Sequence, residues 1–197
     1  MVFAAPTSIW HAGTAGADNL SGNAQSDWFG GFGGNDSIDG QAGTDDVRGD
    51  DGNDEIQGSD GDDTVSGGNG DDAAIGGSGD DTLNGDSGKD SLFGGDGADI
   101  LRGGIGDDHL NGTDGNDRYV GEATADGRDL ITDNSGTDTA DYGYTTAGVS
   151  TLVPRYSPGL PLVMAAARAF MDRSISAAKG ALPCNARKPG VLGRSEE

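Results

Sequence analysis

The sequence predicts an all-β fold: a right-handed parallel β-solenoid of nonapeptide repeats, with a C-terminal cap and a short helix beyond it. Three observations predict it. Glycine recurs every nine residues from Gly13 to Gly121 without a miss. Aspartate keeps the same step from Asp18 to Asp126. Two residues after each aspartate up to Asp117 stands an apolar side chain: Leu20, Phe29, Ile38, Val47, Ile56, Val65, Ala74, Leu83, Leu92, Leu101, Leu110 and Tyr119.

Composition sets the terms for that fold. Glycine supplies 38 of 197 residues, and 34 acids against 12 bases leave a formal charge of −22. Leu, Ile, Val and Phe together make up roughly 16 % of the chain, a level at which a highly charged chain stays disordered. An ordinary globular core is therefore excluded unless something neutralises the acids. Nucleic acid is excluded as a partner, because a phosphate backbone needs a basic face. Membrane insertion is excluded too, since no run of about 18 apolar residues exists. A single cysteine, Cys184, allows neither an internal disulfide nor a thiolate zinc cluster.

The elements follow in order. Residues 1–12 are mildly apolar without a basic leader region, and read as a strand covering the first coil. Residues 13–120 repeat G-x-x-G-x-D-x-U-x, with U apolar; Gly76 to Asn84 is a complete copy. The second glycine is missing only at Gln25. Glycine and aspartate in the first six positions predict a turn, and x-U-x predicts a minimal strand with one inward side chain. Two units make one coil, and coils stack at about 4.8 Å. Residues 18 apart then become vertical neighbours. One inward column runs Leu20, Ile38, Ile56, Ala74, Leu92, Leu110, and the facing one Phe29, Val47, Val65, Leu83, Leu101, Tyr119. That makes six coils, with small Ala74 offset by a local shift of Ile75. Trp28 and His109 fall on outward positions.

At Gly121 the nine-residue register fails, with Thr124 in place of glycine and Arg128 in the apolar position. Residues 121–148 read as a degenerate repeat with capping strands, which repeat proteins need. Residues 149–197 form a basic tail, with a helix over 160–179 whose apolar residues share one face.

Stacking carries the chemistry. It places Asp36, Asp54, Asp72, Asp90 and Asp108 along one edge and Asp45, Asp63, Asp81, Asp99 and Asp117 along the other. Two carboxylates 5 Å apart cost roughly 3 kcal/mol at an effective dielectric of 20, and the cost recurs at every step. A dication between vertical neighbours reverses the sign. Carboxylates and turn carbonyls in a flexible loop are the ligand set of calcium, whereas zinc prefers His and Cys. These ten aspartates form roughly eight vertical pairs, hence roughly eight Ca²⁺ sites. Folding and metal binding then become one event. The extra acids Asp62, Asp71, Asp80 and Asp107, one residue before the repeat aspartate, read as solvated turn residues. The EF-hand is excluded because the stretch that starts at Asp50 lacks glycine at the sixth position and glutamate at the twelfth. An ice-contacting or adhesive rod needs regular outward threonines, and Asn19, Trp28, Ser37, Asp46, Glu55 break any such ladder.

Residues 13–120 resemble the RTX, or hemolysin-type, calcium-binding repeat family, a parallel β-roll. The resemblance implies calcium held between adjacent turns by aspartates and turn carbonyls. It also implies a bacterial protein secreted without a cleaved signal through a type I export system, folding in external calcium. Family enzymes and toxins carry their chemistry in other domains. No catalytic constellation occurs here, so a non-catalytic module is expected. The alternative is a C-terminal fragment of a larger RTX enzyme or toxin, with an adjoining catalytic domain elsewhere.

Overall fold

The computed structural model describes residues 8–121, 127–141 and, as backbone only, 151–152. In chain order the strands are β1 (Trp10–Ala12), β2 (Asn19–Asn23), β3 (Trp28–Gly30), β4 (Ser37–Gln41), β5 (Asp46–Asp51), β6 (Glu55–Asp60), β7 (Thr64–Asn69), β8 (Ala73–Ser78), β9 (Thr82–Ser87), β10 (Ser91–Asp96), β11 (Ile100–Ile105), β12 (His109–Asp114), β13 (Arg118–Val120), β14 (Leu130–Thr132), β15 (Thr139–Asp141) and β16 (Thr151–Leu152). Odd strands stack in one eight-stranded parallel sheet and even strands in another. This is a parallel β-solenoid without helix among the described residues. The helix expected over 160–179 lies outside them.

Through the repeats the register is 18 residues: Val47 pairs with Val65, Val65 with Leu83, and Ile56 with Ala74. Each coil therefore sends one apolar side chain inward from each sheet. Phe29 to Tyr119 and Ile38 to Leu110 are all buried, as the two columns require, while Leu20 at the start of its column is only partly buried. The column of the odd sheet begins one coil earlier, with His11 in register with Phe29 and stacked on its ring at 4.6 Å.

Three expectations are corrected. The interior strands β5 to β12 run six residues rather than three, through the first glycine of the next unit. That glycine faces inward: a β-carbon on Gly58 would strike Asp63 Oδ2 and come within 2.7 Å of the Gly76 carbonyl oxygen. Parallel neighbours on both sides supply the hydrogen bonds that glycine's weak strand preference does not. The true turn is the short G-x-D, where the glycine takes positive φ, as at Gly61 (φ 132°). Ile75 does not fill in for Ala74; it is exposed, and Ala74 sits in the column in register with Ile56 and Leu92.

The third correction concerns Gly121. The register is interrupted there, not lost. Leu110 pairs with Ile131 and Tyr119 with Ala140, an offset of 21 residues. Gly127, Asp129 and Ile131 take the places that Thr124, Asp126 and Arg128 would hold, because three residues are inserted. Sheet pairing thus continues through β14 and β15: β2 to β13 make the six coils expected of residues 13–120, and β1 before them and β14 to β16 after them bring each sheet to eight strands.

Candidate metal centre

From Asp27 to Asp117 the aspartate that recurs every nine residues enters a buried position at the coil edge. Asp36, Asp54, Asp72, Asp90 and Asp108 occupy one edge and Asp45, Asp63, Asp81, Asp99 and Asp117 the other, each 3 % exposed or less. Their carboxylates reach the preceding coil. The Asp36 amide donates to Asp54 Oδ1 at 2.7 Å, Asp54 to Asp72 at 2.8 Å, and Asp72 to Asp90 at 2.9 Å. On the opposite edge Asp45 donates to Asp63, Asp63 to Asp81, and Asp81 to Asp99, each at 2.8 Å. One oxygen of each carboxylate is thereby committed to fixing coil height.

In nine of these ten aspartates the other oxygen is not satisfied by protein. Oδ2 of Asp36, Asp45, Asp54, Asp63, Asp72, Asp81, Asp90, Asp99 and Asp117 is buried with no hydrogen-bond partner. A buried carboxylate oxygen without a donor is costly. Beside these atoms lie carbonyls of the first glycines: a β-carbon on Gly58 would meet both Asp63 Oδ2 and, at 2.7 Å, Gly76 O. The atoms gathered there are all oxygen, part carboxylate and part carbonyl, which suits calcium. Without a cation, burial pushes the carboxyls of Asp63, Asp72 and Asp99 up to about 6, with neighbouring acids adding to the rise. Those of Asp81, Asp90 and Asp117 rise to about 7 for the same reasons.

Sequence reasoning left several residues out. The ladder of amide-to-Oδ1 bonds extends upstream, since Asp27 donates to Asp45 at 2.7 Å. It extends downstream as well, through Asp108 to Asp129 at 3.2 Å and Asp117 to Asp138 at 3.1 Å. The last two were visible as G-x-D-x-U at 127–131 and 136–140, but a strict nine-residue count steps past an insertion.

A second ladder was also missed. Asp62, Asp71, Asp80 and Asp107 are exposed, yet they are not merely solvated. Asp71 Oδ1 accepts the Lys89 amide at 2.9 Å, and Asp62 Oδ1 the Asp80 amide at 2.9 Å. Asp80 Oδ1 takes the Ala98 amide at 2.8 Å, and Asp107 Oδ1 the Arg128 amide at 2.7 Å. Asn35 and Asn53 do the same for Asn53 and Asp71. These side chains hold the following coil, while the buried aspartates hold the preceding one. The repeated Asn or Asp before the turn aspartate was the available signal. His109 faces outward as expected, with its ring nitrogen 2.9 Å from Thr132 Oγ1 and its ring edge-on to Phe93.

Parallel coils, glycine turns and two rows of half-satisfied carboxylates define a calcium-binding solenoid. The family model of the RTX calcium-binding nonapeptide repeat matches residues 12–47, 40–74, 48–83, 66–101, 75–110 and 93–126, more than half of the chain. The chain belongs to that family. No curated protein matches it. An RTX repeat module is found, with no catalytic domain identified.

Proposed function

We propose that this chain is a non-catalytic calcium-binding module that folds when it meets calcium outside the cell. Roughly eight ions bind between the vertical neighbours among Asp36, Asp45, Asp54, Asp63, Asp72, Asp81, Asp90, Asp99, Asp108 and Asp117. The observation that carries this reading is the row of buried Oδ2 atoms without donors. In the metal-free chain those atoms oppose folding. With Ca²⁺ they become ligands, and binding energy becomes folding energy. Family membership supports secretion as the setting, because RTX proteins typically work outside the cell.

The experiment is far-ultraviolet circular dichroism of the full chain while calcium is added and then chelated. Strand signal that appears with calcium and disappears with chelator is the expected result. Strand signal indifferent to chelator overturns the coupling. A titration that saturates at one or two ions overturns the ladder.

A further inference from the structure

At the C-terminal end of the edge that carries Asp117, the repeat changes its chemistry. Asp133 stands five residues before Asp138, where the repeat otherwise places its first glycine. One carboxylate oxygen each of Asp117, Asp133 and Asp138 lie within 4.8 Å of one another. Asp117 and Asp138 are buried and Asp133 is half-buried. Asp133 is held from two sides. Its Oδ1 accepts the Asn134 amide at 2.6 Å, and its Oδ2 accepts the Tyr119 hydroxyl. That hydroxyl accepts the Gly112 amide at 2.7 Å.

Asp117 supplies the independent sign of a ligand. Its Oδ1 accepts the Asp99 amide at 2.9 Å, but its Oδ2 has no partner although the residue is only 1 % exposed. That orphan points to the same side as the Tyr119 hydroxyl, since a β-carbon on Gly112 would collide with both. Nearby arginines are engaged elsewhere: Arg118 on Asp141 at 2.7 Å and Arg128 on Asp107 at 3.6 Å.

We propose that Asp117, Asp133 and Asp138 form a separate site for a hard cation of the calcium class, with Tyr119 as the residue that positions Asp133. The choice of calcium rests on the reading of the ladder given above. The site differs from the ladder in charge: three carboxylates converge where two would stand with glycine. Affinity for oxygen-bound cations grows with ligand charge count, so this site fills first and favours a trivalent lanthanide strongly.

The test uses the full chain, with Tb³⁺ as a luminescent probe excited through tyrosine and equilibrium dialysis to count Ca²⁺. The first Tb³⁺ equivalent gives sensitised emission in the parent chain. Asp133→Asn weakens that equivalent about tenfold or more and lowers the calcium count by one, while Asp63→Asn leaves the first equivalent unchanged. Asp133→Gly installs the residue that the repeat normally carries, and gives the same loss should the Asn variant fail to fold. Unchanged first-equivalent affinity and calcium count in both Asp133 variants overturn the proposal. A single Asp133-dependent ion, with none in the ladder, keeps this site and sinks the ladder reading. A full ladder whose count ignores Asp133 does the reverse.

Discussion

The first coil and the interior coils hold the same aspartate in different states. In the first coil, Asp18 Oδ2 accepts the Thr14 amide at 2.6 Å and the Thr14 hydroxyl at 2.9 Å. Asp27 is saturated as well. Its Oδ2 accepts the Asn23 amide at 3.0 Å and side-chain nitrogen at 2.7 Å, and its Oδ1 accepts the Ile9 amide at 2.8 Å. In Asp36, Asp45, Asp54, Asp63, Asp72, Asp81, Asp90, Asp99 and Asp117 the equivalent Oδ2 atom lacks such a donor. The difference lies one residue after the first glycine of the unit. Thr14 and Asn23 stay out of the left-handed region there, whereas Phe32 (φ 71°), Gln41 (φ 75°), Asp50 (φ 72°), Ser59 (φ 84°) and their successors enter it. The sign of one backbone angle thus separates a carboxylate served by its own coil from one whose Oδ2 has no donor.

The largest effect that could break this comparison is removal of calcium. Chelation should abolish strand signal from the interior repeats, read by circular dichroism. Hydrogen exchange that stays protected around Val47 to Leu101 in chelator would show that the orphan oxygens are tolerated after all.

Next in size is loss of ladder charge. Asp72→Asn with Asp90→Asn keeps an oxygen for the amide of the preceding coil but removes two ligand charges. The calcium midpoint should rise severalfold and the ion count should fall, as measured by calorimetric titration. A midpoint equal to the parent's would remove these residues from the ligand set.

Proton binding is a third lever. The metal-free fold holds Asp81, Asp90 and Asp117 at about 7 and Asp63, Asp72 and Asp99 at about 6, against about 3.8 in the unfolded chain. Between those values the folded form binds more protons, so its stability increases as pH falls from about 7 toward 4. Acid should therefore promote strand structure in the chelated protein. It should weaken calcium binding over the same range, because proton and ion compete for one oxygen. Chelated protein whose circular dichroism does not change between pH 7.5 and pH 5 would contradict this.

The first coil should behave otherwise. Asp27→Ala removes protein hydrogen bonds and not a cation ligand, so it costs about 1–3 kcal/mol in calcium-saturated denaturation and leaves the ion count unchanged. A lost ion would erase the distinction between the two regions. The smallest effect concerns the left-handed position itself. Thr113 is β-branched with φ 85°, and Thr113→Gly should stabilise the calcium-loaded fold by about 1 kcal/mol or less in the same denaturation. Destabilisation would mean that the threonine side chain contributes more than its backbone costs.

Much of this molecule was legible in its spacing. Val47, Val65 and Leu83 could be assigned to one inward column because each follows its aspartate by two residues. Asp36 to Asp117 could be assigned to two edges because two nine-residue units close a coil. Asp133 was not legible as a partner of Asp117 and Asp138, since the insertion after Val120 shifts it out of a nine-residue count. Asp62 and Asp71 read as solvated turn residues, because a hydrogen bond to an amide 18 residues away shows in the sequence only as the recurrence of Asn or Asp at that place.

The repeat by itself determined which apolar side chains point inward, which aspartates stand at the coil edges and that like charges are stacked there. These follow from strand alternation, glycine turns and Coulomb repulsion, all encoded within nine residues. Only the stacked structure decided which oxygen of an interior aspartate such as Asp72 is committed to the preceding coil and which has no donor. That choice depends on the height of one coil against the next and on the sign of φ beside the first glycine, and both are set by contacts between coils.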